Sequence, residues 1–309
     1  MHPNDAIVVG WWLPMNDPLV NFFRGQYKRL LPVPSLSLGR YLVNSWFDLL
    51  SLFGSAKNEL LPPSRWLFDG SQSVEEFRRD GEEFFGYFVD IAGLQPSHRI
   101  IEIGSGIGRM AIPLTRYMEE EGSYDGFDVV KLGVEWCRNN ITPRHKNFNF
   151  HHVDIYNGLY NPRGRLDAAQ YVLPFSASSV DRVFATSVFT HTLPEVFENY
   201  IKETARILVP GGRALASMFL LNEEADALIA SGRAWPEFRH DQGRFRTESD
   251  RVLEGAVGLP ETYVRTVFQQ NELGVVEPIR YGSWCGRDRY LSIQDIVVVT
   301  KRPQECERK

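Results

Sequence analysis

From residue 97 onward, short apolar runs alternate with helix-spaced segments, and this alternation restricts the fold more than any other feature of the chain. Strand candidates occupy 99–103 (RIIEI), 123–129, 148–154, 181–187, 212–220, 274–282 and 292–301. Helix candidates fall between them at about 109–119, 130–140, 194–208 and 260–272. A strand that crosses over through a helix returns parallel to itself, and repeated crossovers cover both faces of one sheet. The expected fold is therefore α/β, a doubly wound sheet of seven mostly parallel strands. Too few residues separate the last two strands for a crossover helix, so the final strand is expected to run antiparallel.

The chain before this region reads differently. Up to about residue 92 it is aromatic-rich and broken by Pro32, Pro34, Pro62 and Pro63, with helical spacing in 38–53 and 73–93. These features predict an N-terminal helical cap over 1–92, ahead of an α/β domain over 93–309 that carries an insertion at about 221–259. A membrane-surface role for 38–53 is disfavoured, because Arg40 is its one basic residue; packing on the neighbouring domain is the expectation. With 43% hydrophobic and 24% charged residues, a chain of 309 buries a substantial core. A net charge of −5 argues against a nucleic-acid partner. Cys137, Cys285 and Cys306 are too few and scattered for a disulfide framework, which points to a reducing compartment, the cytoplasm. The first twenty residues lack a basic stretch, and Pro14 and Asp17 interrupt their apolar run, so neither a signal peptide nor a transmembrane segment is expected. Nothing in the sequence specifies an oligomeric state.

A glycine-rich turn directly follows the first strand of the alternating region. Gly104, Gly106 and Gly108 in "EIGSGIG" sit where a strand passes into a helix and backbone can approach a ligand closely. The two-residue spacing differs from the G-x-G-x-x-G of dinucleotide folds, which favours a ligand without pyrophosphate. Glu102, two residues before the first glycine, would repel a pyrophosphate but suits an ammonium group. Asp128 closes the second strand, where a carboxylate accepts hydrogen bonds from ribose hydroxyls, and Asp154 closes the third, where one can take the amino group of adenine. An acidic residue closing a strand is commonly a turn former or helix cap, but three at successive strand ends line one crevice.

With these pieces in place, the sequence resembles the class I S-adenosylmethionine-dependent methyltransferases. The likeness runs through "EIGSGIG", "GFDVV", "HVDIYN", "SVDRVFATSVFTHTLPE" and "ETARILVPGGRALAS", in that order, and covers about residues 75–301. Phrases such as "FDGSQSVEEFRRDG" and "YGSWCGRDRY" resemble a bacterial branch acting on small molecules. The resemblance implies a Rossmann-like fold and S-adenosyl-L-methionine as methyl donor. It implies Glu102 at the donor's methionine end, Asp128 at the ribose, Asp154 at the adenine, and the amides of Ser105 to Gly108 against its midsection. Val129 and Ile155 would flank the adenine, and Ser187 would approach from the fourth strand.

The expected acceptor is a small molecule, methylated on oxygen. His191, in "SVFTHT" after the fourth strand, is the candidate base for removing a hydroxyl proton near neutral pH; orienting the next helix is the competing role. Tyr281, Trp284 and Arg287 from "RYGSWCGRDRY", with Trp235 from the insertion, are candidate acceptor contacts, Arg287 for an anionic group. Phe238, Arg239 and His240 share that insertion, and a long insertion beside a sheet's carboxyl edge is commonly a substrate loop. Adjacent strand residues face opposite ways, so His151 and His152 do not readily share one metal ion, and no metal is expected. A nicotinamide-dependent oxidoreductase and a non-catalytic binding protein are the alternatives. The first would need the other glycine spacing and a second catalytic set such as Ser-Tyr-Lys; the second is disfavoured by the intact glycine and acidic positions.

Overall fold

A computed structural model describes residues 60–68, 70, 71 and 73–302. Residues 1–59 of the cap expected over 1–92, including the helical segment 38–53, lie outside the described residues, as does Cys306. Ser64–Trp66 forms a single 3-10 turn, grouped with the N-terminal unit. The second compact unit, Leu60–Pro62 and Leu67–Lys309, contains the sheet and its helices.

The core of this unit is a sheet in which β1 (Arg99–Ile103), β2 (Ser123–Asp128), β3 (Phe148–His152), β4 (Val180–Ala185) and β5 (Leu208–Leu221) are parallel in the order 3-2-1-4-5. The order reverses beside β1, which opens a crevice at the carboxyl ends of β1 and β4. β1 is buried at four of its five residues, as a strand covered on both faces must be. The last strand, β10 (Asp295–Lys301), runs antiparallel to β5 and to the short β9 (Leu273–Val275), as the missing crossover predicts. Helices α1 (Val74–Asp90), α2 (Ala111–Leu114), α3 (Lys131–Asn140), α4 (Pro194–Ile207) and α6 (Glu261–Gln270) accompany the sheet, with α5 (Glu223–Ala230) inside the insertion.

Local chemistry sets the element boundaries. The hydroxyl of Ser73 accepts the Glu76 N–H and caps α1, whose Phe88 ring stacks on Phe184 of β4 at 3.8 Å. That contact places α1 in the same compact unit as the sheet, whereas the sequence groups it with an N-terminal cap. Pro194 opens α4 at a position whose N–H needs no partner.

Three expectations differ from the structure. α2 is one turn instead of a helix over 109–119, ending where the Thr115 N–H is shared between the carbonyls of Ala111 and Ile112. The strand expected at 274–282 stops at Val275; Pro278 has no N–H for the ladder, and pairing resumes only as an isolated Arg280–Ile296 bridge. The insertion is structured: β6 (His240–Asp241), β7 (Arg246–Thr247) and β8 (Val257–Pro260) extend the sheet, with β8 parallel to the far end of β5. β5 is 14 residues long, so it serves β4 and β10 along one stretch and β8 along another, which brings the sheet to ten strands. Among the described residues, no helix is long and apolar enough to cross a membrane.

Candidate active site

A cavity of about 520 Å³ opens at the carboxyl ends of β1, β2 and β4, within the roughly 300–1,000 Å³ range of small-molecule sites. Glu102, Gly104, Ser105, Gly106, Asp128, Val129, Ile155, Ser187 and His191 all line it. The side chains singled out around the glycine turn thus converge on one space, because each follows or ends a strand at the same edge.

The turn itself is closed upon its own backbone. Gly104 and Ser105 donate their N–H groups to the Phe127 carbonyl, Gly108 donates to Ser105, and Gly106 donates to Asp128 Oδ2 at 2.7 Å. These amides are therefore committed and form no nest for a phosphate. Gly104 has φ +77°, and a Cβ there would stand 2.4 Å from Val188, so backbone and β4 loop meet too closely for a side chain. Gly106, at φ +56°, is different: a Cβ there would meet nothing within 4 Å, because the space in front of it is the cavity. Gly108 faces away and packs on Cys137 and Ile141 around α3, so its role is close packing and not ligand contact.

Burial dominates the electrostatics. Glu102 is 1% exposed, and desolvation pushes its carboxyl up to about 8, against the opposing pull of a short hydrogen bond from the Tyr124 hydroxyl. Asp128 is raised to about 6 by burial, moderated by the N–H groups of Val130 and Gly106. Of these two strand-end carboxyls, Glu102 is therefore mainly neutral at pH 7 and Asp128 mainly ionised.

His191 sits at the other end. Its Nδ1 is 2.9 Å from the Glu254 carbonyl, which only accepts, so Nδ1 carries the hydrogen and Nε2 of the neutral ring is left as the basic nitrogen. Burial lowers its pKa below the ordinary histidine value, with the carbonyls of Glu254 and Gly255 pulling the other way. Asn157 donates to the His191 carbonyl at 3.1 Å, and the Tyr160 ring meets the imidazole edge-on at 5.4 Å. Asn157, Tyr160 and Glu254 also line the cavity, with Phe68, Thr192 and Tyr200.

Five sequence expectations are corrected. Asp154 does not line the cavity; it is held by Arg165 Nε at 2.6 Å and by Asn161, and staples the loop after β3. Trp284 is core: its ring packs edge-on against Phe219 and Phe238, and its Nε1 donates to Asp295. Arg287 is buried with Asp295 at 3.2 Å and Glu224 at 2.7 Å, which leaves it nothing to offer an anionic substrate. Tyr281 donates to Glu261 on α6, and Trp235 is a surface residue, 52% exposed. Neither lines the cavity: the Trp235 N–H donates to the Trp284 carbonyl at 2.7 Å, and Trp284 and Cys285 pack with Ala234 and Phe238 of the insertion. Phe238 joins the same buried cluster, while Cys285 is a buried thiol pushed up to about 11.

Residues 101–216 match the family described as "Methyltransferase domain". The chain carries a class I S-adenosylmethionine-dependent methyltransferase domain. The uncharacterized methyltransferase YcgJ of Bacillus subtilis is 25% identical over 228 residues, which are 70% of this chain and 77% of that protein. The PH0226 protein from Pyrococcus horikoshii shares the fold at a TM-score of 0.50 and 15% identity, covering 77% of this chain and 95% of its own. A SAM-dependent methyltransferase from Methanosarcina mazei aligns at a TM-score of 0.47 and 16% identity, covering 68% of this chain and 95% of its own. The committed amides of Gly104, Ser105, Gly106 and Gly108 give a dinucleotide no anion site. The methyltransferase domain does fit its donor: an open face at Gly106, a carboxyl at each of two strand ends, and no phosphate nest suit a cationic adenosyl compound.

Proposed function

We propose that this protein transfers the methyl group of S-adenosyl-L-methionine to the hydroxyl oxygen of a small molecule, with His191 as the base. When bound, the donor supplies a methyl already activated on a sulfonium, so the protein's task is alignment, desolvation and proton removal. In this reading Glu102 holds the donor's ammonium end, Asp128 its ribose hydroxyls, and Val129 and Ile155 flank its adenine. Ser187 lies beside it from the end of β4, its N–H donating to Ser217 and its hydroxyl to Gln294. Trp235, Tyr281, Trp284 and Arg287 are not assigned to the acceptor.

The observation that carries the proposal is His191 in the cavity with Nδ1 tied to Glu254. A neutral imidazole with Nε2 available is the form that accepts a hydroxyl proton, and burial keeps it neutral at pH 7. The cytoplasm is the compartment consistent with three cysteines too scattered for a disulfide framework.

The test combines calorimetry with donor and S-adenosylhomocysteine, then isotopic methyl transfer into a small-molecule extract of the native organism. Labelled methyl ether products are expected. His191→Ala should lower kcat by about 100-fold or more while changing donor Kd little. Label appearing on nitrogen or carbon would refute oxygen as the acceptor atom, and full activity of His191→Ala would remove the base.

A further inference from the structure

We propose that the acceptor end of the cavity selects an uncharged hydroxyl compound with an apolar body, and that Glu254 turns anionic acceptors away. This rests on the reading of the cavity as a site of methyl transfer to oxygen, and extends it to the charge of the substrate.

Among the described residues, two guanidinium groups reach the wall, Arg109 and Arg165. Each already has partners: Arg109 stands 3.8 Å from Asp80 and donates to Ser71, and Arg165 holds Asp154 at 2.6 Å. Each therefore has a carboxylate beside it, so an acceptor carboxylate or phosphate would share its counter-charge with Asp80 or Asp154.

Glu254 makes the balance worse for an anion. It sits in the single turn Leu253–Gly255, its carbonyl takes the Nδ1–H of His191, and its side-chain Oε1 accepts the Gly158 N–H at 3.2 Å. No lysine or arginine among the described residues pairs with its carboxylate. The residue that orients the base thus also places a negative charge on the same wall. An anionic acceptor presenting its oxygen to His191 would come within about a side chain's length of that charge. At an effective dielectric constant near 20, two like charges about 8 Å apart weaken binding by at least about tenfold.

The surface beyond the base is apolar. Tyr160 packs against His191, and Leu193 and Val196, which follow His191 in the chain, line the same cavity. Apolar side chains lining a cavity beside its reactive group contact a ligand's apolar portion. Negative charge at the base is opposed and apolar surface is offered beside it, which suits an aromatic or alkyl alcohol over its anionic counterpart.

The test uses the full-length protein saturated with S-adenosylhomocysteine, titrated calorimetrically at pH 7 with 2-naphthol, 2-naphthoate and 2-naphthylmethylammonium. These probes share one ring system and differ in the charge of the head group. 2-Naphthol is expected to bind, with 2-naphthoate at least about tenfold weaker. Glu254→Gln keeps an oxygen for the Gly158 N–H but removes the charge, and should narrow the naphthol-to-naphthoate ratio severalfold. A second measurement needs no variant: raising the salt from 0.05 to 0.5 M should narrow the same ratio in the wild-type protein. The proposal is overturned if 2-naphthoate binds as well as 2-naphthol, if the ammonium probe binds most tightly, or if 2-naphthol does not bind. A ratio unmoved by both the variant and salt would overturn the role of Glu254. Transfer of labelled methyl is read separately. If the probes rank as expected but label never reaches oxygen, the oxygen-methylation reading fails and the charge selection stands.

Discussion

The raised carboxyl of Glu102 makes donor binding a proton-release reaction. The side chain is buried, lies at the end of β1 in the cavity wall, and has its carboxyl pushed to about 8. If it meets the donor's ammonium group as a carboxylate, it must first ionise. At pH 7 this costs about 1.4 kcal/mol, one unit below the pKa. Affinity should therefore rise close to tenfold between pH 6 and pH 7, with Asp128, raised to about 6, adding up to about twofold from its own ionisation. The donor's own α-amino group loses its proton at roughly 7.7–8.0, so the useful window ends below pH 7.5. The assay is calorimetry with S-adenosylhomocysteine at pH 6 and pH 7 in buffers of differing ionisation enthalpy, which counts protons. Close to one proton should be released per ligand at pH 7. Glu102→Gln should lose most of the pH slope and release almost none. A wild-type affinity that is flat across this window, or a slope that survives in Glu102→Gln, would refute the assignment.

The same group predicts stability. Its folded pKa lies above its ordinary value of 4.5, so its contribution is fully present below about pH 4.5 and is lost as pH rises through about 8; the melting temperature of Glu102→Gln should fall less over that window than the wild type's. Gly106→Arg puts a long side chain into the open face of the turn at a positive φ, and should abolish S-adenosylhomocysteine binding with the circular-dichroism spectrum retained; unchanged affinity would move the donor elsewhere. Asp128→Ala should weaken donor binding by about 1–3 kcal/mol, read by calorimetry, and no change would mean the ribose lies elsewhere. Arg287→Ala leaves Asp295 buried beside an emptied space, and should cost about 3–5 kcal/mol in denaturant unfolding while donor affinity holds; weak destabilisation with lost affinity would return Arg287 to the site.

Elements whose character is carried by local periodicity were legible in the chain. α3, α4 and α6 lie within two residues of their expected bounds, and β1 matches its own. The side of the cavity proposed for the donor was legible for the same reason: Glu102, Gly106 and Asp128 are tied to strand ends, and parallel strands place their carboxyl ends together. The acceptor side was not. Trp284 and Arg287 carry side chains that suit a binding wall, and their reassignment to the interior depends on Asp295, a neighbour made by folding. Asp154 gave a true strand-end signal, but its partner Arg165 closes a loop whose path no periodicity announces. Glu254 sits in an insertion without helical or strand pattern and meets His191 across 63 residues of sequence.

The order of apolar runs, helix spacing and strand-end carboxylates thus determined a mostly parallel α/β sheet and a crevice at its carboxyl edge, because backbone geometry turns local pattern into place. Which carboxyl stays neutral, which nitrogen of His191 is basic, and which arginines are spent depended on burial and on contacts between distant segments. These are properties of the folded surroundings: desolvation and pairing act through space, and sequence distance does not encode them.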